Sequence, residues 1–198
     1  MGKFYDEIPE HLITWIAKQQ MFTVATAPLS ADGHVNISSK GVDGTFHVVD
    51  GKRVWYEDLT GSGNETISHI RENSRITILF NAFQGPPLIC RLFGTGTVHE
   101  FGTPEYDSFI SPETRMPGSR AVIVMDVHKV GTCTSQSCGY GVPYYTFDGH
   151  RDTILNWCSQ LEKSSNKEKD LKAWWRAENT KSLDGLPGLN VASVTERP

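Results

Sequence analysis

The chain has 198 residues, with 19 basic and 23 acidic side chains and a formal net charge of −4 at pH 7. This length suits one domain with a sizeable core, and the acidic excess gives no field that would attract nucleic acid. No apolar run reaches the roughly 18 residues that span a bilayer, and no signal-peptide pattern opens the chain. We therefore expect a soluble cytoplasmic protein without a nucleic-acid or membrane partner.

The first third of the chain predicts one helix followed by short strands in hairpin order. Leu12, Ile13 and Ile16 share one face of an amphipathic helix predicted over residues 9–20. The dipeptide Asp50-Gly51 is the strongest hairpin signal. Strands are predicted at residues 22–27, 35–40, 45–49 and 53–57.

Longer strands follow. Gly94 and Gly96 lie inside one of them and indicate a bend or a close approach of the backbone. Because about six strands occur at short spacing, they favour an antiparallel barrel. The predicted helices cover residues 64–72 and 103–110, and the predicted strands cover residues 75–80, 88–99 and 121–132.

The chain becomes helical after residue 133, with a loop predicted at 135–143 and helices at 151–163 and 167–179. The turn-rich tail at 183–189 is apolar, so we expect it to pack on the barrel or on another subunit. The pattern predicts a single domain over residues 1–198, with a barrel at about 21–133 and a C-terminal helical extension at about 150–190.

Four cysteines are too few for a disulfide scaffold in a chain of this size. Cys133 and Cys138 lie five residues apart, but no second Cys/His pair at zinc spacing accompanies them. The sequence therefore predicts no metal site, and it leaves the role of this pair open.

A small, polar, glycine-rich loop stands between a predicted strand and a predicted helix. It contains Gly61, Ser62, Gly63, Asn64 and Thr66. Such a loop can bring backbone N–H groups and hydroxyls close to an anion at a helix N-terminus. The alternative is an ordinary capped helix start, with Asn64 or Thr66 as the N-cap. The two interpretations are compatible.

One face of the predicted strand 35–40 is polar. Since side chains alternate along a strand, Asn36, Ser38 and Lys40 fall on the same face. This row suits the edge of a ring and a phosphate. It also suits a solvent-facing strand edge, where a lysine discourages aggregation.

Three long segments carry a family resemblance: FTVATAPLSADGHVNISSKG at 22–41, VWYEDLTGSGNETISHI at 54–70 and RITILFNAFQGPPLICRLFGTGTV at 75–98. They resemble the flavin-binding split-barrel proteins related to pyridoxamine 5′-phosphate oxidase. The tail pieces SCGYGVP and SLDGLPGL resemble an uncharacterised branch of that family. The resemblance implies a mainly β fold with peripheral helices (α+β), built on a six-stranded antiparallel split β-barrel. It also implies a homodimer that holds FMN in two equivalent clefts at the subunit interface.

The resemblance also implies roles for individual residues. The end of the 53–57 strand and the loop after it would contact the isoalloxazine and the phosphate, respectively. Arg91 occupies the position of a flavin contact, although a neighbouring carboxylate could equally be its partner. The implied ring contacts are Tyr56, Glu57 and Asp58, and the implied phosphate donors are Ser62, Asn64 and Thr66, with Lys40 and Arg91 completing the set.

Two departures separate this chain from the oxidase itself. Ser62 and Gly63 stand where the oxidase carries adjacent basic residues, and no C-terminal Arg-x-His signature is present. The sequence therefore argues against pyridoxamine phosphate oxidation and leaves the substrate open. It indicates no catalytic side chain, since the flavin would supply the redox chemistry.

Three functions are compatible with these observations. The first is an FMN-dependent oxidoreductase that acts on a small molecule, with a nicotinamide as a candidate electron donor. The second is a split barrel that binds haem or a deazaflavin. The third is a non-catalytic flavin-binding protein.

Overall fold

The computed structural model describes residues 2–133 and 144–193. The predicted loop at 135–143 and Cys138 lie outside these residues. The strands are β1 (Lys3–Tyr5), β2 (Phe22–Thr26), β3 (Asn36–Lys40), β4 (Phe46–Val48), β5 (Arg53–Leu59), β6 (Arg75–Asn81), β7 (Ile89–Glu100) and β8 (Ser119–Cys133). The helices are α1 (Glu10–Ile16), α2 (Glu65–Asn73), α3 (Pro104–Asp107), α4 (Thr153–Glu162), α5 (Leu171–Glu178) and α6 (Asn190–Ser193).

The strands form one antiparallel sheet in the order β3-β2-β6-β7-β8-β5-β4, with β1 added to β8. This sheet curls. The ring of Phe22 on β2 lies 4.9 Å from that of Phe46 on β4, although four strands separate β2 and β4 in the order. The end strands β3 and β4 are not paired with each other within the described residues. The predicted mainly β fold of the split-barrel type is confirmed.

The sheet has eight strands in the described residues, whereas the family resemblance implied six. All seven predicted strand segments form, and β1 is the addition. It has three residues and pairs with the far end of β8, so no local pattern marks it. The predicted bend is also present, because the register of β7 against β8 shifts between Phe93 and Gly94. A Cβ atom at Gly94 would collide with the carbonyl oxygen of Asp126.

Helix α2 has the predicted length, one residue further along, and α6 was not predicted. The other four helices are shorter than predicted, and α1 and α5 show why. Helix α1 stops at Ile16, and the following N–H groups of Lys18 and Gln19 bond three residues back. Helix α5 begins only after Asp170, whose side chain accepts the N–H of Ala173 at 2.8 Å.

The C-terminal extension packs on its own barrel. Trp175 and Leu189 are each 1% exposed, and the indole Nε1 of Trp175 donates to Thr60 Oγ1 at 2.8 Å. The Glu100 carboxylate accepts the N–H groups of Asn190 and Val191 at 2.8 and 2.7 Å. Within the apolar tail, Leu189 is thus covered by its own chain, whereas Leu183 is 71% exposed. None of the helices in the described ranges is long and apolar enough to cross a bilayer.

Candidate functional site

The polar row on β3 lies where the curled sheet brings its two ends together. Strand β3 pairs with β2 so that Lys40, Ser38 and Asn36 stand opposite Phe22, Val24 and Thr26. Cross-strand partners project on the same face, and Phe22 and Val24 belong to the core. The row therefore lines the inner side of the split, where it is half-buried.

An ion pair closes this split. Lys40 Nζ lies 2.8 Å from Asp58 Oδ1, and Asp58 Oδ2 accepts from Arg120 Nε at 2.8 Å. Burial disfavours the charged form of Asp58, but the charges and hydrogen bonds of Lys40 and Arg120 outweigh it and lower its pKa from 3.8 to about 2. With two cations for one carboxylate, this group carries a net positive charge.

A second set of contacts joins β3 to the start of α2. Asn36 Nδ2 donates to Thr66 Oγ1 at 3.0 Å, and Ser38 Oγ donates to Asn36 Oδ1 at 3.1 Å. Thr26 Oγ1 lies 3.0 Å from Nδ1 of His69, which is fully buried on α2. Burial lowers the pKa of His69. The partner of the Thr26 hydroxyl is therefore a neutral imidazole.

The glycine-rich loop 61–66 continues from Asp58 along the same side. Its Gly63 carbonyl accepts from Arg120 Nη1 at 2.9 Å, and its Gly61 carbonyl accepts from Asn179 Nδ2 at 3.0 Å. The N–H groups of Ser62 and Gly63 find no acceptor within residues 2–133 and 144–193, and Ser62 is exposed. The loop thus offers open backbone donors ahead of a nine-residue helix.

Asn64 occupies the N-cap position of α2, as one of the two sequence interpretations proposed. Its side chain does not cap the helix. Instead Asn64 Nδ2 donates to Ser68 Oγ at 3.0 Å, and its buried Oδ1 has no hydrogen-bond partner in the part of the chain that the structure describes. An unpaired buried oxygen is costly. The side chain of Asn64 therefore keeps one hydrogen-bond acceptor without a donor.

The structure sets two predicted site residues, Glu57 and Arg91, apart from this cluster and leaves a third, Tyr56, beside it. Tyr56 is in the barrel core, with its ring 5.3 Å from that of Phe22, and Lys40 Nζ lies 5.9 Å from the centroid of the Tyr56 ring. Glu57 points to the opposite face of β5, where its carboxylate accepts the N–H of Met116 at 3.0 Å and burial raises its pKa. Arg91 alternates with the fully buried Cys90 and Leu92, so it projects from the outer face of β7. Within one chain it does not meet the β3 row.

Two residues of the cluster, Arg120 and Asn179, were not predicted from the sequence. Arg120 stands at the start of an apolar strand, and an isolated charge there could have signalled a buried ion pair. Asn179 follows α5 in the C-terminal extension, far from the loop in sequence, and no local pattern marks it.

The residues present fit a phosphate-bearing flavin. Net positive charge at Lys40 and Arg120, open N–H groups at Ser62 and Gly63, and hydroxyl and amide groups along β3 are the donors that a phosphate and a ring edge require. One group opposes an anion, because Glu65 lies beside Gly63 while accepting the N–H of Leu183 at 3.1 Å. Lys40 keeps free donor capacity, since an ammonium carries three N–H bonds and only one reaches Asp58.

A curled antiparallel sheet, open between β3 and β4 and polar along that opening, defines a split-barrel protein. Residues 8–134 match the family model described as pyridoxamine 5′-phosphate oxidase. The pyridoxamine 5′-phosphate oxidase family protein ustO of Aspergillus flavus is 37% identical over 203 residues, which cover 97% of this chain and 80% of that protein. The chain therefore belongs to the pyridoxamine 5′-phosphate oxidase family.

Solved structures agree with this fold. One crystal structure of HupZ from Group A Streptococcus superposes with a TM-score of 0.52 at 25% identity, covering 64% of this chain and 99% of that chain. A second HupZ structure gives a TM-score of 0.50 at 27% identity, with coverage of 62% and 91%. In each case the similarity covers less than two thirds of this chain.

Proposed function

We propose that the protein binds FMN and acts as an oxidoreductase on a small molecule. In this proposal the phosphate is held by Lys40 and by the donors of loop 61–66, including Ser62, Asn64 and Thr66. The ring lies beside Asn36, Ser38 and the end of β5 at Asp58. A bound flavin supplies the redox chemistry, while the protein binds and orients it.

One observation carries the proposal: the β3 row and the glycine-rich loop, both predicted as cofactor contacts, are joined in the fold. Asn36 bonds to Thr66 at 3.0 Å. Lys40 connects through Asp58 and Arg120 to the Gly63 carbonyl. Two polar segments more than twenty residues apart in sequence thus line one cationic surface, as an anionic cofactor requires.

The first experiment identifies the chromophore and compares FMN with riboflavin. Purified protein is denatured, and the released compound is identified. FMN and riboflavin are then titrated into the apoprotein by fluorescence. We expect FMN to bind at least about tenfold more tightly, because a charge-assisted phosphate contact contributes roughly 1.5–3 kcal/mol. Release of haem or a deazaflavin, or equal affinities for the two flavins, would contradict the proposal.

Turnover is tested separately from binding. Bleaching of the flavin spectrum on anaerobic addition of a nicotinamide donor would support an oxidoreductase that uses that donor. If the flavin binds but no donor reduces it, the protein is a non-catalytic flavin binder.

We further infer a homodimer, as the family resemblance implies. Val35, just before the edge strand β3, is 67% exposed, and Ile37, on that strand, is 71% exposed. Exposed apolar side chains on a strand edge favour association between chains. Arg91, on the outer face, could then meet a flavin held against the partner subunit. Sedimentation of the 22.1 kDa chain at micromolar concentration tests this inference, and a monomer would contradict it.

A further inference from the structure

The C-terminal extension reaches the proposed phosphate loop through one side chain. Asn179 follows α5 and is 0% exposed. It lies beyond residues 8–134, which match the family model. Its own backbone is held on both sides, because its N–H donates to the Trp175 carbonyl at 2.8 Å and its carbonyl accepts the N–H of Leu189 at 2.8 Å. The backbone position of Asn179 is therefore fixed within the extension.

The side chain of Asn179 makes two hydrogen bonds to the cluster. Nδ2 donates to the Gly61 carbonyl at 3.0 Å, and Oδ1 accepts from Arg120 Nη1 at 3.0 Å. Arg120 in turn donates to the Gly63 carbonyl at 2.9 Å. The carbonyls of both loop glycines are thus drawn toward the protein interior, one directly by Asn179 and one through Arg120.

The direction of these carbonyls decides where the loop donors point. In a planar trans peptide the C=O of one residue and the N–H of the next point in opposite directions. Because the Gly61 carbonyl faces Asn179, the Ser62 N–H faces away from it. Ser62 is exposed and its N–H has no acceptor among the described residues. A glycine at 61 turns readily in either sense, so the hydrogen bond from Asn179 selects one of them.

We propose that Asn179 is a positioning residue that makes the site selective for phosphate-bearing flavins. It holds the Gly61 peptide so that the Ser62 N–H is presented to the phosphate. This inference rests on the proposed function, and it assigns to the C-terminal extension a part of the site that residues 8–134 lack. Asn179 itself does not touch the cofactor.

The experiment measures the ratio of riboflavin to FMN dissociation constants in the full-length protein. Asn179→Ala removes both hydrogen bonds. Asn179→Leu also removes both bonds, but it keeps a branched side chain of similar shape and adds no charge. The matched control is Ser164→Ala, which removes a bond from the Asn166 N–H to Ser164 Oγ at 3.2 Å, in the connection between α4 and α5. If Asn179 had only a structural role, its loss would weaken the binding of FMN and of riboflavin equally and leave the ratio unchanged.

We expect both Asn179 variants to lower the ratio about tenfold through weaker FMN binding, with riboflavin binding unchanged, while Ser164→Ala keeps the wild-type ratio. If Asn179→Ala is too unstable to purify, Asn179→Leu decides the matter, since its side chain leaves a smaller cavity. An unchanged ratio in a folded Asn179 variant overturns the inference alone. Equal binding of the two flavins by the wild type would instead overturn the FMN placement itself.

Discussion

Lys40 on β3 and Asp58 on β5 form an ion pair with 2.8 Å between Nζ and Oδ1, and it bridges the open side of the barrel. The two strands lie near opposite ends of the strand order. The Asp58 side chain is 1% exposed and that of Lys40 is 23% exposed, so one partner is anchored in the core while the other still reaches solvent. This asymmetry leaves Lys40 available to a ligand.

Lys40→Ala should weaken FMN binding by roughly 10- to 150-fold, because a charge-assisted contact worth about 1.5–3 kcal/mol is lost. Riboflavin binding should change much less. Fluorescence titration of the apoprotein measures both affinities. Lys52→Ala is the control, since Lys52 is an exposed lysine in the hairpin between β4 and β5. Wild-type FMN affinity in Lys40→Ala would place the phosphate elsewhere.

Asp58 should make the stability of the protein depend on acid pH. Its folded-state pKa of about 2 lies below the ordinary 3.8. The stability that its charged form contributes is therefore complete above pH 3.8 and is lost as the pH falls through about 2. From this pKa difference the contribution is about 2 kcal/mol.

Urea unfolding of wild type and Asp58→Asn at neutral and acid pH measures this dependence. Near neutral pH, Asp58→Asn should have a clearly lower free energy of unfolding than the wild type. This difference in free energy should become smaller as the pH falls. Asp126→Asn is the matched control, because Asp126 pairs with Arg53 on the surface, where both side chains are more than half exposed and such pairs contribute little. A gap that stays constant down to about pH 2 would refute the assignment.

Thr66→Ala should reduce FMN affinity by about 0.5–1.5 kcal/mol, or roughly 2- to 12-fold, since a neutral hydroxyl is lost while the backbone donors remain. Thr66 Oγ1 also accepts a hydrogen bond from Asn36 Nδ2, so the alanine variant loses this contact between α2 and β3. Thr66→Ser retains the hydroxyl and should restore most of the affinity. If the serine variant binds FMN no better than the alanine variant, the Thr66 hydroxyl does not contribute to FMN binding.

Glu65→Gln should strengthen FMN binding, because the carboxylate beside Gly63 repels a phosphate on the loop. Glutamine keeps an oxygen that can accept the N–H of Leu183. We expect a gain of about 0.2–1 kcal/mol that shrinks at high salt, as for other exposed charge interactions. Glu72→Gln, on an exposed residue at the other end of α2, should leave the affinity unchanged. A gain that is equal for riboflavin would show that the phosphate is not involved.

Local patterns were sufficient to predict seven of the eight strands in the described residues and the candidate loop. The alternation along β3 placed Asn36, Ser38 and Lys40 on one face, and Asp50-Gly51 marked the hairpin of β4 and β5. The glycines and polar residues of loop 61–66 marked the start of α2. These features depend on neighbours in the chain, so the sequence alone determined them.

Long-range packing decided the rest. Lys40 meets Asp58 only because the sheet curls, and Arg120 and Asn179 join them from β8 and from the C-terminal extension. The same packing buries Trp175 on its own barrel and turns Arg91 to the outer face. No local pattern encodes which strand ends meet, since that follows from the pairing order and twist of the whole sheet. The sequence therefore predicted candidate cofactor contacts, and the tertiary structure decided which of those side chains lie together.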